Sequence, residues 1–293
     1  MPRAAANGME LEFDTFGDPA DPCLLLVAGL GTQMTSWDDV LCTAFADRGR
    51  FVVRYDNRDV GLSTWLDDEV DMAALMQHAL AGGPRPDVPY LLSDMAADGI
   101  GLLDVLGVDR AHILGSSMGG MIVQTMAIER PERVLTLTSV MSTTGEPEFG
   151  QPTAEAMVAL LTPPPATRAE YLDNAVTTWR VWASKRYFDE ERTRTKAAAF
   201  FDRAFHPAGT QRQMAAVVAS GSRAEGLRGL RVPTLVIHGH DDTLIAPSGG
   251  FRTAELVPGA NLLYLHDMGH DLPEPLWPLI VDAVTSHQNH AVA

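Results

Sequence analysis

The stretch "AHILGSSMGGM", residues 111–121, decides how the rest of the chain is read. Its apolar start, His112-Ile113-Leu114, reads as the end of a buried strand, and "MGGMIVQTMAIERPERV" (118–134) reads as a helix that stops near Pro131. Between them stand two adjacent serines, Ser116 and Ser117. A serine hydroxyl is a poor nucleophile until a base takes its proton, and a sharp strand-to-helix turn is one way to present it. Such a turn strains the serine backbone and crowds its neighbours, so the positions two before and two after must be small. Around Ser117 these are Gly115 and Gly119; around Ser116 they would be the bulky Leu114 and Met118. The spacing selects Ser117. A glycine-rich turn without chemistry also fits the motif taken alone, and the strand–turn–helix context favours catalysis.

Working outward, short apolar runs alternate with longer helical patterns. Strands are expected at "MELEFDTF", at 23–29, 51–56 and 111–116, and again at 135–142, 234–240 and 261–268. A helical stretch is expected near Trp37 to Asp47, and residues 91–108 form an amphipathic helix with Met95, Ile100, Leu102, Leu103 and Leu106 mostly on one side. Near-continuous apolar strands separated by helices argue for an α/β fold with a mostly parallel sheet covered on both faces. The rhythm breaks at residues 144–225, which open on Gly and Pro signals and continue as helices without strands. This segment is expected to be a helical cap inserted into a core made of 1–143 and 226–293. Tyr171, Ala175, Trp179 and Trp182 share one of its helical faces, either lining a pocket or packing the cap's own interior. A smaller insertion is expected at 65–90, with "GGPRPDVP" (82–89) as loop.

A nucleophilic serine needs a histidine base and an acid to orient it, and on a doubly wound sheet both should lie beyond the C-terminal ends of later strands. "VPTLVIHGHDDTLIAP" (232–247) offers Asp241 and Asp242. Adjacent residues in a turn point apart, and Asp242 is chosen. "NLLYLHDMGHDLPEP" (261–275) offers His270, which follows a strand and Gly269, whereas His266 falls inside the strand pattern and reads as structural. The order Ser117, Asp242, His270 is the one this architecture requires. The oxyanion of an acyl-transfer intermediate needs two backbone N–H donors. Met118, after the nucleophile, is one candidate. Leu30, between Gly29 and Gly31 in "AGLGTQMTSW" (28–37), is the other. His238 and His240 form an H-x-H pair, but no further convergent ligands are evident, so no metal is expected. Gly29-Leu30-Gly31 is not a dinucleotide fingerprint, because Met34 stands where that pattern needs a small residue.

Taken together, "VAGLG" (27–31), "YDNRDVGLS" (55–63), "GSSMGG" (115–120), "VPTLVIHGHDD" (232–242) and "DMGHDLP" (267–273) resemble the α/β-hydrolase superfamily over nearly the whole chain. The resemblance implies an esterase-like fold with a helical lid and a Ser117–Asp242–His270 triad. Two departures stand out: Ala28-Gly29 replaces the usual His-Gly of the oxyanion loop, and Asp59 replaces a common Gly. Both resemble a subgroup that includes methyl esterases acting on polyketide esters. Asp56 and Arg58 read as structural ion-pair residues.

The expected activity is hydrolysis of small to medium acyl or methyl esters through an acyl-enzyme, without cofactor. Trp37, Met157, Trp179, Trp182 and Tyr187 are the candidate substrate contacts. The same triad could serve perhydrolysis (cofactor-free haloperoxidase activity) or C–C bond hydrolysis, and a non-catalytic receptor is a further alternative. A net charge of −16 with no basic cluster argues against nucleic acid and anionic membranes as partners. No apolar run reaches the roughly 20 residues of a membrane span. The N-terminus lacks a signal-like apolar region, and Cys23 and Cys42 cannot build a disulfide framework, so the cytoplasm is the expected compartment. The partner is then a small-molecule ester; a homodimer is compatible with the chain.

Overall fold

The computed structural model describes residues 1–83 and 85–292. Its strands are β1 (Arg3–Ala6), β2 (Met9–Phe16), β3 (Cys23–Val27), β4 (Phe51–Tyr55), β5 (Ala111–Ser116), β6 (Val134–Val140), β7 (Thr234–Gly239) and β8 (Asn261–Leu265). They join in one eight-stranded sheet in the order β1-β2-β4-β3-β5-β6-β7-β8. β1 and β2 run antiparallel to their neighbours; every pairing among β3 to β8 is parallel. β3 and β4 are buried along their full lengths, as strands covered on both faces must be. β1 was not anticipated, because "RAAA" carries no β-branched or aromatic residue; it is held by its pairing with β2 and by burying Ala4 and Ala6.

The sheet separates two cores. On one side α3 (Leu92–Val105) and α4 (Met118–Glu129) pack against it, and on the other α1 (Asp39–Ala46) and α11 (Trp277–Val292) do so, while α10 (Ser248–Leu256) joins β7 to β8. α3 buries Met95, Leu102 and Leu103 and rests Ile100 and Leu106 at the edge of the same core, as its periodicity requires. α4 is buried from Met118 through Ala127, which makes it the central helix. α1 starts later than the Trp37–Asp47 pattern suggests, because the Asp38 side chain caps it by accepting from Val40 N–H.

Inside 65–90 the chain forms α2 (Met72–Ala81), capped by Asp71. The "GGPRPDVP" loop reading holds at 82–83 and 85–89, while Pro84 lies outside the described residues. The 261–268 strand ends early, at Leu265, where the chain turns and its carbonyl accepts from His240 N–H. His266 is therefore not inside a strand: it is exposed, and its ring lies tilted by 40° against that of His240 with centres 4.8 Å apart.

Between β6 and β7 run α5 (Ala154–Leu160), α6 (Arg168–Trp182), α7 (Glu190–Arg203), α8 (Pro207–Ser220) and α9 (Ala224–Gly229). A Thr167–Glu170 capping box starts α6. Tyr171 on α6 packs against Phe201 and Phe205 at 5.3 and 5.5 Å between ring centres, joining α6 to α7. Among the described residues, no helix is long and apolar enough to cross a membrane.

Candidate active site

Ser117 sits at the turn between β5 and α4 with φ 56° and ψ −121°, a conformation that non-glycine residues rarely adopt. The surrounding glycines show why. A Cβ on Gly115 would lie 2.1 Å from the Gly119 carbonyl oxygen, and one on Gly119 would lie 2.1 Å from that of Val27. Gly120 likewise leaves room for Ser142, whose hydroxyl donates to the Ser117 carbonyl at 2.9 Å. The strain at Ser117 is thus held by a backbone crossing that tolerates no side chain.

His270 and Asp242 come to Ser117 from the loops after β8 and β7. His270 Nε2 is 2.9 Å from Ser117 Oγ, and His270 Nδ1 is 2.8 Å from Asp242 Oδ2. An ionised Asp242 can only accept, so Nδ1–H donates to it and Nε2 is left to accept from the serine. The other Asp242 oxygen accepts from Leu244 and Ile245 N–H at 3.0 and 2.9 Å. Burial pushes the Asp242 carboxyl up, but the His270 and His238 rings beside it outweigh burial and hold the group at about 2. Asp241 points elsewhere, to His240 at 3.1 Å and Lys185 at 3.8 Å. His238 is buried with Nε2 donating to the Ile245 carbonyl at 2.8 Å, so it braces the Asp242 loop. His238 and His240 therefore diverge, and among the described residues no cluster of three or more metal-ligating side chains forms.

The loop after β3 closes over Ser117. A Cβ at Gly29 would stand 3.2 Å from Ser117 Cβ. Where the usual histidine is replaced by Ala28, Asn57 donates to the Ala28 carbonyl at 3.0 Å. Leu30 and Met118 both border the cavity beside Ser117, and neither N–H has a hydrogen-bond partner among the described residues. Met118 also opens α4, whose positive end favours developing negative charge.

The cavity measures about 940 Å³. Trp37, Met157, Trp179, Trp182 and Tyr187 all line it, as do Tyr171 and Ala175, so the aromatic face of α6 serves the cavity as well as the packing of α6 on α7. Arg192, Lys196 and Glu274 form a charged end.

Several contacts at the site carried no readable signal. Trp182 accepts from His270 N–H through its carbonyl at 2.7 Å, and Asp271 accepts from Ser184 and Gly269 N–H at 2.9 and 3.2 Å. The end of α6 is thereby tied to the loop that carries His270. Burial raises the Asp271 carboxyl despite those bonds. Asp56 and Arg58 are ion-paired with other residues rather than with each other: Arg203 lies 2.7 Å from Asp56, and Arg58 grips Asp98 at 2.6 Å.

The family profile described as the alpha/beta hydrolase fold matches residues 22–274. Two curated relatives are each 29% identical, with 94% of this chain and 93% of theirs aligned: rhodomycin D methylesterase DauP of Streptomyces sp. (strain C5) and rhodomycin D methylesterase DnrP of Streptomyces peucetius. Among solved structures, a meta-cleavage product hydrolase from Pseudomonas fluorescens IP01 superposes with a TM-score of 0.78 at 19% identity, covering 99% of this chain and 98% of its own. With the profile spanning most of its length, this chain belongs to the α/β-hydrolase fold family.

Proposed function

We propose that this hydrolase is a serine carboxylesterase acting on methyl esters of bulky apolar acids. The observation that carries the reading is the continuous hydrogen-bonded line from Ser117 Oγ through His270 to Asp242 at the wall of the cavity. Its reaction is acyl transfer to water. Ser117 Oγ attacks the ester carbonyl as His270 Nε2 takes its proton, while Asp242 stabilises the resulting imidazolium and fixes its tautomer. The Leu30 and Met118 N–H groups receive the oxyanion. His270 then gives its proton to the departing alcohol, and the ester bond to that alcohol breaks, leaving the acyl group on Ser117. A water deprotonated by His270 attacks the acyl-enzyme, and the acid leaves as Oγ recovers the proton.

The size and apolar lining of the cavity support a large acyl portion held by Trp37, Met157, Trp179, Trp182 and Tyr187, with a small alcohol at Ser117. The methylesterase names of the curated relatives point the same way. We assign residues 144–225 the role of a substrate-selecting cap over a core of 1–143 and 226–293. Two free, buried thiols suit a reducing compartment, consistent with work in the cytoplasm.

The test is a panel of methyl esters of graded acid size, run beside p-nitrophenyl acetate and a fluorophosphonate probe. Methanol release that rises with acid bulk, and a single adduct on Ser117 lost in Ser117→Ala, are expected. No turnover and no adduct would make the protein a receptor. Peroxide-dependent halogenation or diketone cleavage without ester hydrolysis would move it to the perhydrolase or C–C hydrolase class.

A further inference from the structure

The loop that carries the Leu30 N–H is not held by the core alone. Gln213 lies on α8, in the segment between β6 and β7, and is fully buried. Its side-chain oxygen accepts from Gly31 N–H at 2.8 Å, and its nitrogen donates to the Arg58 carbonyl at 2.8 Å. One amide thus bridges the loop after β3 to the loop after β4. Its neighbours on α8 dock on the same two loops. A Cβ at Gly209 would sit 1.9 Å from the Asp59 carbonyl oxygen, and Arg212 pairs with Asp59 at 2.8 and 2.9 Å. Gly31 adopts φ +61°, and a Cβ there would stand 2.8 Å from the Thr210 hydroxyl.

We infer that Gln213 is a positioning residue for the oxyanion donor: by holding Gly31 N–H, it fixes the peptide that precedes it and aims the Leu30 N–H at Ser117. This rests on the esterase reading above. Without the acceptor at 213, the partly buried Gly31 N–H is left unpaired, and the loop relaxes by turning to find another partner. An oxyanion donor acts only where charge develops, so its misplacement slows the chemical step more than it weakens ground-state binding. On this account α8 belongs mechanically to the floor of the site, although it lies within the cap segment of the sequence.

The experiment compares wild type with Gln213→Met, which keeps the shape but has no strong acceptor, and Gln213→Glu, whose carboxyl, kept protonated by full burial, offers an acceptor oxygen to Gly31 N–H and an O–H donor to the Arg58 carbonyl. Readouts are kcat and KM for p-nitrophenyl acetate, the inhibition constant of phenylboronic acid, whose serine adduct mimics the tetrahedral intermediate, and the melting temperature. Gln213→Met is expected to lose on the order of 10- to 100-fold in kcat with KM nearly constant, since a misplacement of about 1 Å costs up to about 100-fold. Boronate affinity should fall in step, and Gln213→Glu should recover a large part of both. Should Gln213→Met fail to fold, Gln213→Asn, whose amide is one methylene short of Gly31, carries the same expectation. Unchanged kcat, lost activity without lost boronate affinity, or no recovery in Gln213→Glu would overturn the assignment. A wild type that neither hydrolyses the ester nor binds the boronate would instead overturn the esterase reading.

Discussion

Replacing Asp242 by Asn should invert the proton on His270. One Asp242 oxygen already receives two backbone donors, Leu244 and Ile245 N–H at 3.0 and 2.9 Å. The asparagine oxygen must take that position, because an NH₂ there would face two N–H groups. Its NH₂ then faces His270 Nδ1, now 2.8 Å from the carboxylate, and forces that nitrogen to become an acceptor. The imidazole proton moves to Nε2, which points at Ser117 Oγ and can no longer take the serine proton. A wrong tautomer of this kind costs about 10⁴ in kcat, about 5 kcal/mol at about 1.36 kcal/mol per factor of ten. The substitution is nearly isosteric, so the fold should survive. The assay is kcat/KM on p-nitrophenyl acetate, with a thermal melt and with Asp241→Asn as control, which should stay near wild type because Asp241 faces His240 and Lys185. If Asp242→Asn kept more than about a tenth of wild-type activity, or if Asp241→Asn were the damaging change, the tautomer argument would fail.

The same carboxylate makes stability pH-dependent. It is held at about 2 against an ordinary 3.8, so the folded state binds its proton more weakly, and the stabilisation present above about pH 4 is lost as pH falls toward 2. The loss amounts to about 2 kcal/mol, readable as a shallower acid-denaturation curve in Asp242→Asn. Arg58→Ala should cost about 3–5 kcal/mol in urea unfolding, because it strands the buried Asp98 carboxylate with Asn7 as its remaining side-chain partner; a loss below about 1 kcal/mol would contradict that pairing. Cys23 and Cys42 are buried and pushed up to about 12, so a disulfide-exchange reagent should modify neither at neutral pH until the chain unfolds. Rapid modification of the native protein would show that β3, which carries Cys23, or α1, which carries Cys42, opens.

By itself the sequence determined what local pattern can determine. Strands β3 to β8 announce themselves as apolar runs, and α3 and α4 by their periodicity, because burial writes its period directly into residue type. The choice of Ser117 over Ser116 was equally local, since it turns on which neighbours can lack a Cβ. The choice of Asp242 over Asp241 and the nomination of His270 followed from position after a strand. β1 leaves no mark because its four residues have no strand preference, and the end of β8 is not legible because a turn at His266 and Asp267, rather than a break in the apolar pattern, stops it. Tertiary structure alone decided which distant groups meet: Gln213 with Gly31, Arg203 with Asp56, the Trp182 carbonyl with His270 N–H. Each joins residues that the chain keeps far apart, through one polar atom whose partner depends on where whole helices dock. A hydrogen bond of that kind leaves no period and no motif, so nothing short of the folded arrangement reveals it.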